Sequence, residues 1–184
     1  MSYPLFIQTI DIPKFTALNA NLDVDKYVQF LLIAQEIHLQ GILGSNLYEK
    51  IAADITAGTL AGNYLALVNN HIKQMLIHYG LMEYLPFAAY NIANNGVYKK
   101  SSENSETVSK DEVDYLVEKE RQIAQHYTDR FIAYMCNNST LFPEYSNNTA
   151  EDMKPDKQAF SAGWVLDNYS EQDLLRSKYL LENL

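Results

Sequence analysis

LQGILGSNLYEKI, Leu39 to Ile51, holds an abrupt break: one apolar-periodic run enters it, another leaves it, and Gly44-Ser45-Asn46 stands between them. Upstream, Val24, Tyr27, Val28, Leu31, Leu32, Ala34, Ile37 and Ile42 recur at helical spacing, with Asp23 placed to cap the first turn. Downstream, Leu47, Tyr48, Ile51 and Ile55 continue the pattern until Gly58. Glycine suits the left-handed position that ends a helix, and Ser45 or Asn46 can accept from the free N–H groups that start the next. The stretch therefore predicts a stop and a restart, with two helices forced into contact as an αα-corner or hairpin.

Working outward, Leu65, Val68, Ile72, Met75, Leu76, Tyr79, Met82 and Tyr84 predict a third helix from Asn63 to Leu85. Pro86 ends or kinks it, and the reading carries AAYNIANNGVY on helically to Asn94, with Gly96 as the stop. Residues 99–109, KKSSENSETVS, are polar and predict an exposed loop. Ser109 or Asp111 then caps a fourth helix, lined by Val113, Leu116, Val117, Ile123, Ala124, Tyr127, Phe131, Ile132, Tyr134 and Met135 and ending at Asn137-Asn138. Before all of this, residues 1–22 are a lead-in in which FIQTID could form a short edge strand closed by Pro13.

The expected fold is thus all-α: about four main helices in one body, residues 1–138, with an extended lead-in. From Ser139 to Leu184 the texture changes, because Pro143, Asn147, Asn148, Pro155 and Gly163 break any regular pattern. Aliphatic residues thin out while Phe142, Tyr145, Phe160, Trp164 and Tyr169 persist. A disordered tail normally sheds its aromatics. The segment is read as an arm, and two uses stay open: its aromatics plug into another chain, or they wrap its own helices. Ser170 and Asp173 suggest a capping box for a terminal helix whose stripe includes Leu174, Leu175, Tyr179 and Leu180.

The totals exclude several functions. The 184 residues carry a formal net charge of −9, against a surface built to grip nucleic acid or acidic lipid. A single cysteine, Cys136, allows no internal disulfide framework. The start lacks the basic and apolar regions of a signal peptide, and the longest aliphatic run, FLLIA at Phe30 to Ala34, is too short for a bilayer. Fourteen tyrosines fit rims and interfaces, where a ring is buried and its hydroxyl stays wet.

No residue set reads as chemistry. His38, His71, His78 and His126 form neither H-E-x-x-H nor the Glu-x-x-His of di-iron bundles. His71 and His78, seven apart, share a helix face and are read as surface histidines. Cys136 falls at a helix C-terminus, which does not favour a thiolate. The acidic group Asp111, Glu112, Asp114, Glu118 and Glu120 suits the start of a helix. Neither a nucleophile elbow nor a phosphate-binding glycine loop is present. No catalytic residue, cofactor or metal site is expected.

One resemblance does emerge. FIQTIDIPKF, LDVDKYVQFLLIAQEIHLQGILGSNLYEKI, the long helix running into YLPFAAYNIANNGVYKK, a polar loop and VSKDEVDYLVEKERQIAQHYTDRFIAYM follow one another in the order seen in helical head–tail connector (adaptor) proteins of tailed phages, including crAss-like or Bacteroides-type phages. The resemblance covers roughly residues 5–136 and rests on the spaced pattern Ala34-Gln35, Leu43-Gly44, Leu47-Tyr48 and Ile51, and on Gly96-Val97 after the long helix. It implies a structural virion protein, not an enzyme, assembled in the host cytoplasm. Its copies would form a ring, commonly twelve-fold, beneath the portal protein. They would contact neck or tail proteins and extend a channel through which double-stranded DNA passes without specific binding; no membrane is involved. The alternatives are a small helical binding module and a metal-binding bundle enzyme.

Overall fold

The computed structural model describes residues 4–18, 23–88, 90–93, 96–99, 109–147 and 152–156. The fold is all-α apart from one hairpin. A 3₁₀ turn at Thr9–Asp11 leads into a short helix α1, Ile12–Phe15. Helix α2 spans Val28–Leu43, α3 spans Ser45–Ala57, α4 spans Gly62–Ala88, and strands β1 (Tyr90–Ala93) and β2 (Gly96–Lys99) follow. Helix α5 runs Lys110–Asn137, and a 3₁₀ turn at Ser139–Leu141 precedes the short α6, Pro143–Ser146.

The corner at Gly44 is as tight as its sequence demands. Gly44 is the sole residue between α2 and α3, its N–H bonded to Gln40 O at 2.9 Å and its carbonyl accepting from Tyr48 N at 3.1 Å. Its φ is +74° but its ψ is 153°, so the backbone is extended rather than left-handed helical. That region is essentially restricted to glycine. Ser45 and Asn46 do not cap α3, contrary to the sequence reading: Ser45 is already the first helical residue and the cap position belongs to Gly44. At the far end of α3, Gly58 is left-handed (φ +69°, ψ 23°), and the Thr59 N–H reaches Asp54 O at 2.9 Å. That closes the helix where the sequence placed its end.

Helix α4 meets α3 at 102° and packs along both α2 and α5. Met75, Leu76 and Ile77 are fully buried, so α4 is the central helix, apolar around much of its girth. Where α2 crosses it, Gly80 admits Leu31: a Cβ built on Gly80 would stand 2.4 Å from Leu31 Cδ2. Pro86 is accommodated inside α4, which continues to Ala88. Both α2 and α4 carry a π-turn, at Gln35–Leu39 and Val68–Ile72.

Three expectations are corrected. FIQTID forms no strand; Asp11 leads α1, Pro13 fits that helix's first turn, and Asp11 pairs with Lys73 at 2.8 Å. The chain after α4 does not continue helically to Asn94. Tyr90–Ala93 pairs antiparallel with Gly96–Lys99, Ala93 opposite Gly96 and Ile92 opposite Val97. The Asn-Asn-Gly run at positions 94–96 is a hairpin signal in the sequence that the helical reading passed over. Finally, the body does not end at residue 138. Phe142 and Tyr145 are buried in the chain's own core, Phe142 against Tyr64 and Tyr134, Tyr145 against Phe131. Aromatic burial is worth more to a chain that can reach its own core than to one that must wait for a partner.

Candidate functional site

The pattern Ala34-Gln35, Leu43-Gly44, Leu47-Tyr48, Ile51 resolves into one buried corner. All of its apolar members are inaccessible, and Gln35 is 0% exposed. The Gln35 amide nitrogen donates to Tyr48 Oη at 2.9 Å and to Pro4 O at 3.0 Å, while its oxygen accepts from Phe6 N at 3.0 Å. A single side chain thereby fastens the lead-in to the body and bonds three polar groups, two of them fully buried. The Phe6 ring then lies 4.9 Å from that of Tyr48.

Ser45 performs a different task from the one its type suggested. Its hydroxyl donates to Asp152 Oδ2 at 2.6 Å and accepts from Met153 N at 3.2 Å, and its own N–H donates to Met153 O at 3.0 Å. Asp156 N donates to Gly41 O at 2.9 Å. Residues 152–156 are therefore strapped over the α2–α3 corner of the same chain.

The second polar feature is the antiparallel α4–α5 seam. His71 stacks on Tyr134 with centroids 4.2 Å apart, and His78 stacks on Tyr127 at 5.6 Å. The seven-residue spacing of the two histidines on α4 meets the seven-residue spacing of the two tyrosines on α5, so the ladder is in register. Seven residues before Tyr127, Glu120 Oε2 lies 2.7 Å from His78 Nδ1. Burial and the nearby Arg130 guanidinium push the His71 pKa down. Reading each histidine alone on its own helix predicted surface positions; His78 is in fact buried. The missed signal was the equal spacing of His and Tyr on two different helices.

Beside this seam, α2, α4 and α5 enclose a cleft of about 270 Å³ lined by Ile37, His38, Gly41, Tyr79, Gln125 and Thr128, among others, with Asp156 at its edge. His38 stacks flat on Tyr79 at 4.3 Å, and its Nε2 lies 2.8 Å from Glu83 Oε1. The Tyr79 hydroxyl lies 3.2 Å from Thr128 Oγ1, and the Thr128 hydroxyl also donates to Ala124 O at 3.0 Å. Among the described residues no three His, Cys, Asp or Glu side chains gather to hold a metal ion.

At the other end, α5 outruns α4. With His71 opposite Tyr134 and His78 opposite Tyr127, the last residue of α4, Ala88, falls level with about residue 117 of α5. The first two turns of α5 therefore project past α4. Tyr115 is 62% exposed and Leu116 46% exposed there. The overhang holds itself together with a capping box: Ser109 Oγ accepts from Glu112 N at 3.3 Å, and Glu112 Oε2 accepts from Ser109 N at 2.8 Å.

Of the residues singled out in the sequence, Gly44 turns the corner, Ser45 clasps residues 152–156, and Asn46 sits half-buried in the first turn of α3. Gly96 and Val97 open β2. Phe142 and Tyr145 belong to the core rather than to a free arm. Phe160, Trp164, Tyr169, Leu175 and Tyr179 lie outside the described residues, as does most of the 99–109 loop. Among the described residues no single helix is long and apolar enough to cross a membrane.

No curated protein and no solved structure matches the chain. A family model does, over residues 39–153, a span whose ends meet at the Ser45–Met153 clasp. The chain therefore belongs to the family of unknown function DUF6712.

Proposed function

We propose that the protein is a passive structural component that associates head-to-tail with copies of itself, in the manner of a head–tail connector ring of a tailed phage. Such a ring would sit under a portal protein, contact neck or tail proteins and surround passing DNA. A ring requires two unlike patches on each subunit. The observation that supports this reading is a pair of such patches. One is the α5 overhang with Tyr115 and Leu116; the other is the outer face of α2, where Ile33 is 39% and Ile37 64% exposed. Because Ile37 shares its cleft with Gln125 and Thr128, the two patches are separated by roughly 14–18 Å along α5. The acidic balance suits a lumen that repels DNA. With Phe142 and Tyr145 committed to the core, any arm that grips a neighbour starts beyond Asp156.

Native mass spectrometry and electron microscopy of the protein, alone and mixed with its cognate portal and neck components, test the reading. A ring formed on the portal is the expected result. A species that stays monomeric with every component and at every concentration would overturn it. A small helical binding module is the second reading, favoured by the cleft at His38 and Tyr79, and that same monomeric outcome supports it.

A further inference from the structure

Gly44 parts two groups that an unbroken helix would join. If α2 ran straight on, Ser45 N–H would donate to Gly41 O, four residues back. Instead each takes a partner from residues 152–156: Ser45 N–H donates to Met153 O at 3.0 Å, and Asp156 N–H donates to Gly41 O at 2.9 Å. Around this pair, the Ser45 hydroxyl donates to Asp152 Oδ2 at 2.6 Å and accepts from Met153 N–H at 3.2 Å, and Gln40 Nε2 donates to Asp152 Oδ2 at 3.4 Å. The strap is therefore a shared cap for two helix ends. It buries little of itself in the process. Asp152, Met153, Lys154 and Asp156 are exposed and Pro155 is half-buried, whereas Phe142 and Tyr145, shortly before them, are sealed in the core. Beneath the strap the corner has bonds of its own, from Gly44 to Gln40 and Tyr48 and from Gln35 to Pro4, Phe6 and Tyr48.

We infer that residues 152–156 are a latch on Ser45, which opens and recloses while the helical body stays folded. Opening uncovers little apolar surface, so the burial that holds the core together is untouched. Water can take up the Gly41 C=O and the Ser45 N–H, as it does at free helix ends. Closed, the latch makes Asp156 the point from which the chain leaves the body. Open, that point moves back toward Tyr145, and Ser45 becomes accessible. The inference goes beyond the connector reading and stands or falls without it, because its test uses the isolated protein.

The test is amide hydrogen exchange in the full chain, followed residue by residue by NMR at urea concentrations below the unfolding transition, with circular dichroism to confirm the fold of each variant. The Ser45, Met153 and Asp156 amides are expected to exchange at rates that do not change with urea, since a local opening exposes little surface. Met75, Leu76 and Ile77 in α4 are expected to exchange faster as urea rises. Ser45→Ala keeps the backbone bonds and removes the hydroxyl, and it is expected to speed exchange at Met153 and Asp156 about tenfold. Asp152→Ala, on the exposed side of the same bond, carries little risk to folding and is expected to act in the same direction. Strap amides that follow urea as steeply as those of α4 would overturn the inference, because the strap would then come away only when the body unfolds. So would unchanged exchange at Met153 and Asp156 in both folded variants.

Discussion

Around the Gly44 corner, Gln35, Ser45 and Tyr48 are buried, and their polar atoms are used on this same chain, on Pro4, Phe6, Asp152 and Met153. At the start of α5 the opposite holds. Its polar atoms are spent on its own capping box, its apolar side chains Tyr115 and Leu116 face outward, and its helix is supported locally. One region is stabilised by long-range contacts between segments far apart in sequence; the other is stabilised within one turn of itself. Long-range polar clasps over-determine a corner and commit its polar groups to the chain itself. A locally capped overhang keeps its shape while its apolar residues stay available.

The sharpest way to break this contrast is at Gln35. Gln35→Leu keeps the volume and removes the side-chain partner of Phe6 N–H and of Pro4 C=O, and one hydrogen bond of Tyr48 Oη. It is expected to cost about 2–4 kcal/mol in urea unfolding, since buried groups left unmet carry their full desolvation penalty. A loss below 1 kcal/mol would show that the corner does not depend on this side chain. Next comes Gly44→Val. A β-branched residue at φ +74° and ψ 153° is expected to lose about 1–3 kcal/mol, read as a lower denaturation midpoint. A wild-type midpoint would mean that the link has another conformation.

The overhang should respond more weakly. Ser109→Ala removes the capping box and is expected to cost about 1 kcal/mol, seen as faster amide exchange confined to the first turns of α5. Exchange that accelerates throughout the body would place the overhang inside the core's cooperative unit. Replacing Tyr115 and Leu116 together by serine should leave stability within about 0.5 kcal/mol and abolish ring formation on the portal. Rings formed normally by that variant would remove the overhang from the interface.

The α4–α5 seam lies between these two regimes, and pH separates its contribution. The His71 pKa is lowered from 6.5 in the folded chain, chiefly by burial and then by Arg130. The unfolded chain therefore binds the proton more readily. The stability tied to neutral His71 is present above pH 6.5 and is lost as pH falls through that value toward the lower folded pKa. Melting temperatures measured from pH 7.5 to 5 should decline, and His71→Gln should make the decline shallower. An identical slope in the variant would assign the acid sensitivity elsewhere.

The sequence by itself determined the main helices and several of their ends: Gly44, Gly58 and Ser109 each act within a few residues, through backbone conformation and capping, whereas the end of α4 at Ala88 and the strand after it were misread. The apolar periodicity likewise determined most of the inward faces, although Val24, Ile37, Leu65, Leu116 and Ile123 of those stripes lie exposed. What only the tertiary structure decided depended on a partner distant in sequence. Ser45 looks like a cap until Asp152, more than a hundred positions away, arrives to take its hydroxyl. His71 and His78 look like surface histidines until Tyr134 and Tyr127 stack on them. Whether Phe142 and Tyr145 serve another chain or this one stayed open in the sequence, because the turn-forming residues around them hide the 3₁₀ turn and short helix that fold them under α4 and α5. A propensity or a cap is written in the neighbouring residues, whereas a seat in a core exists only once the other helices have built it.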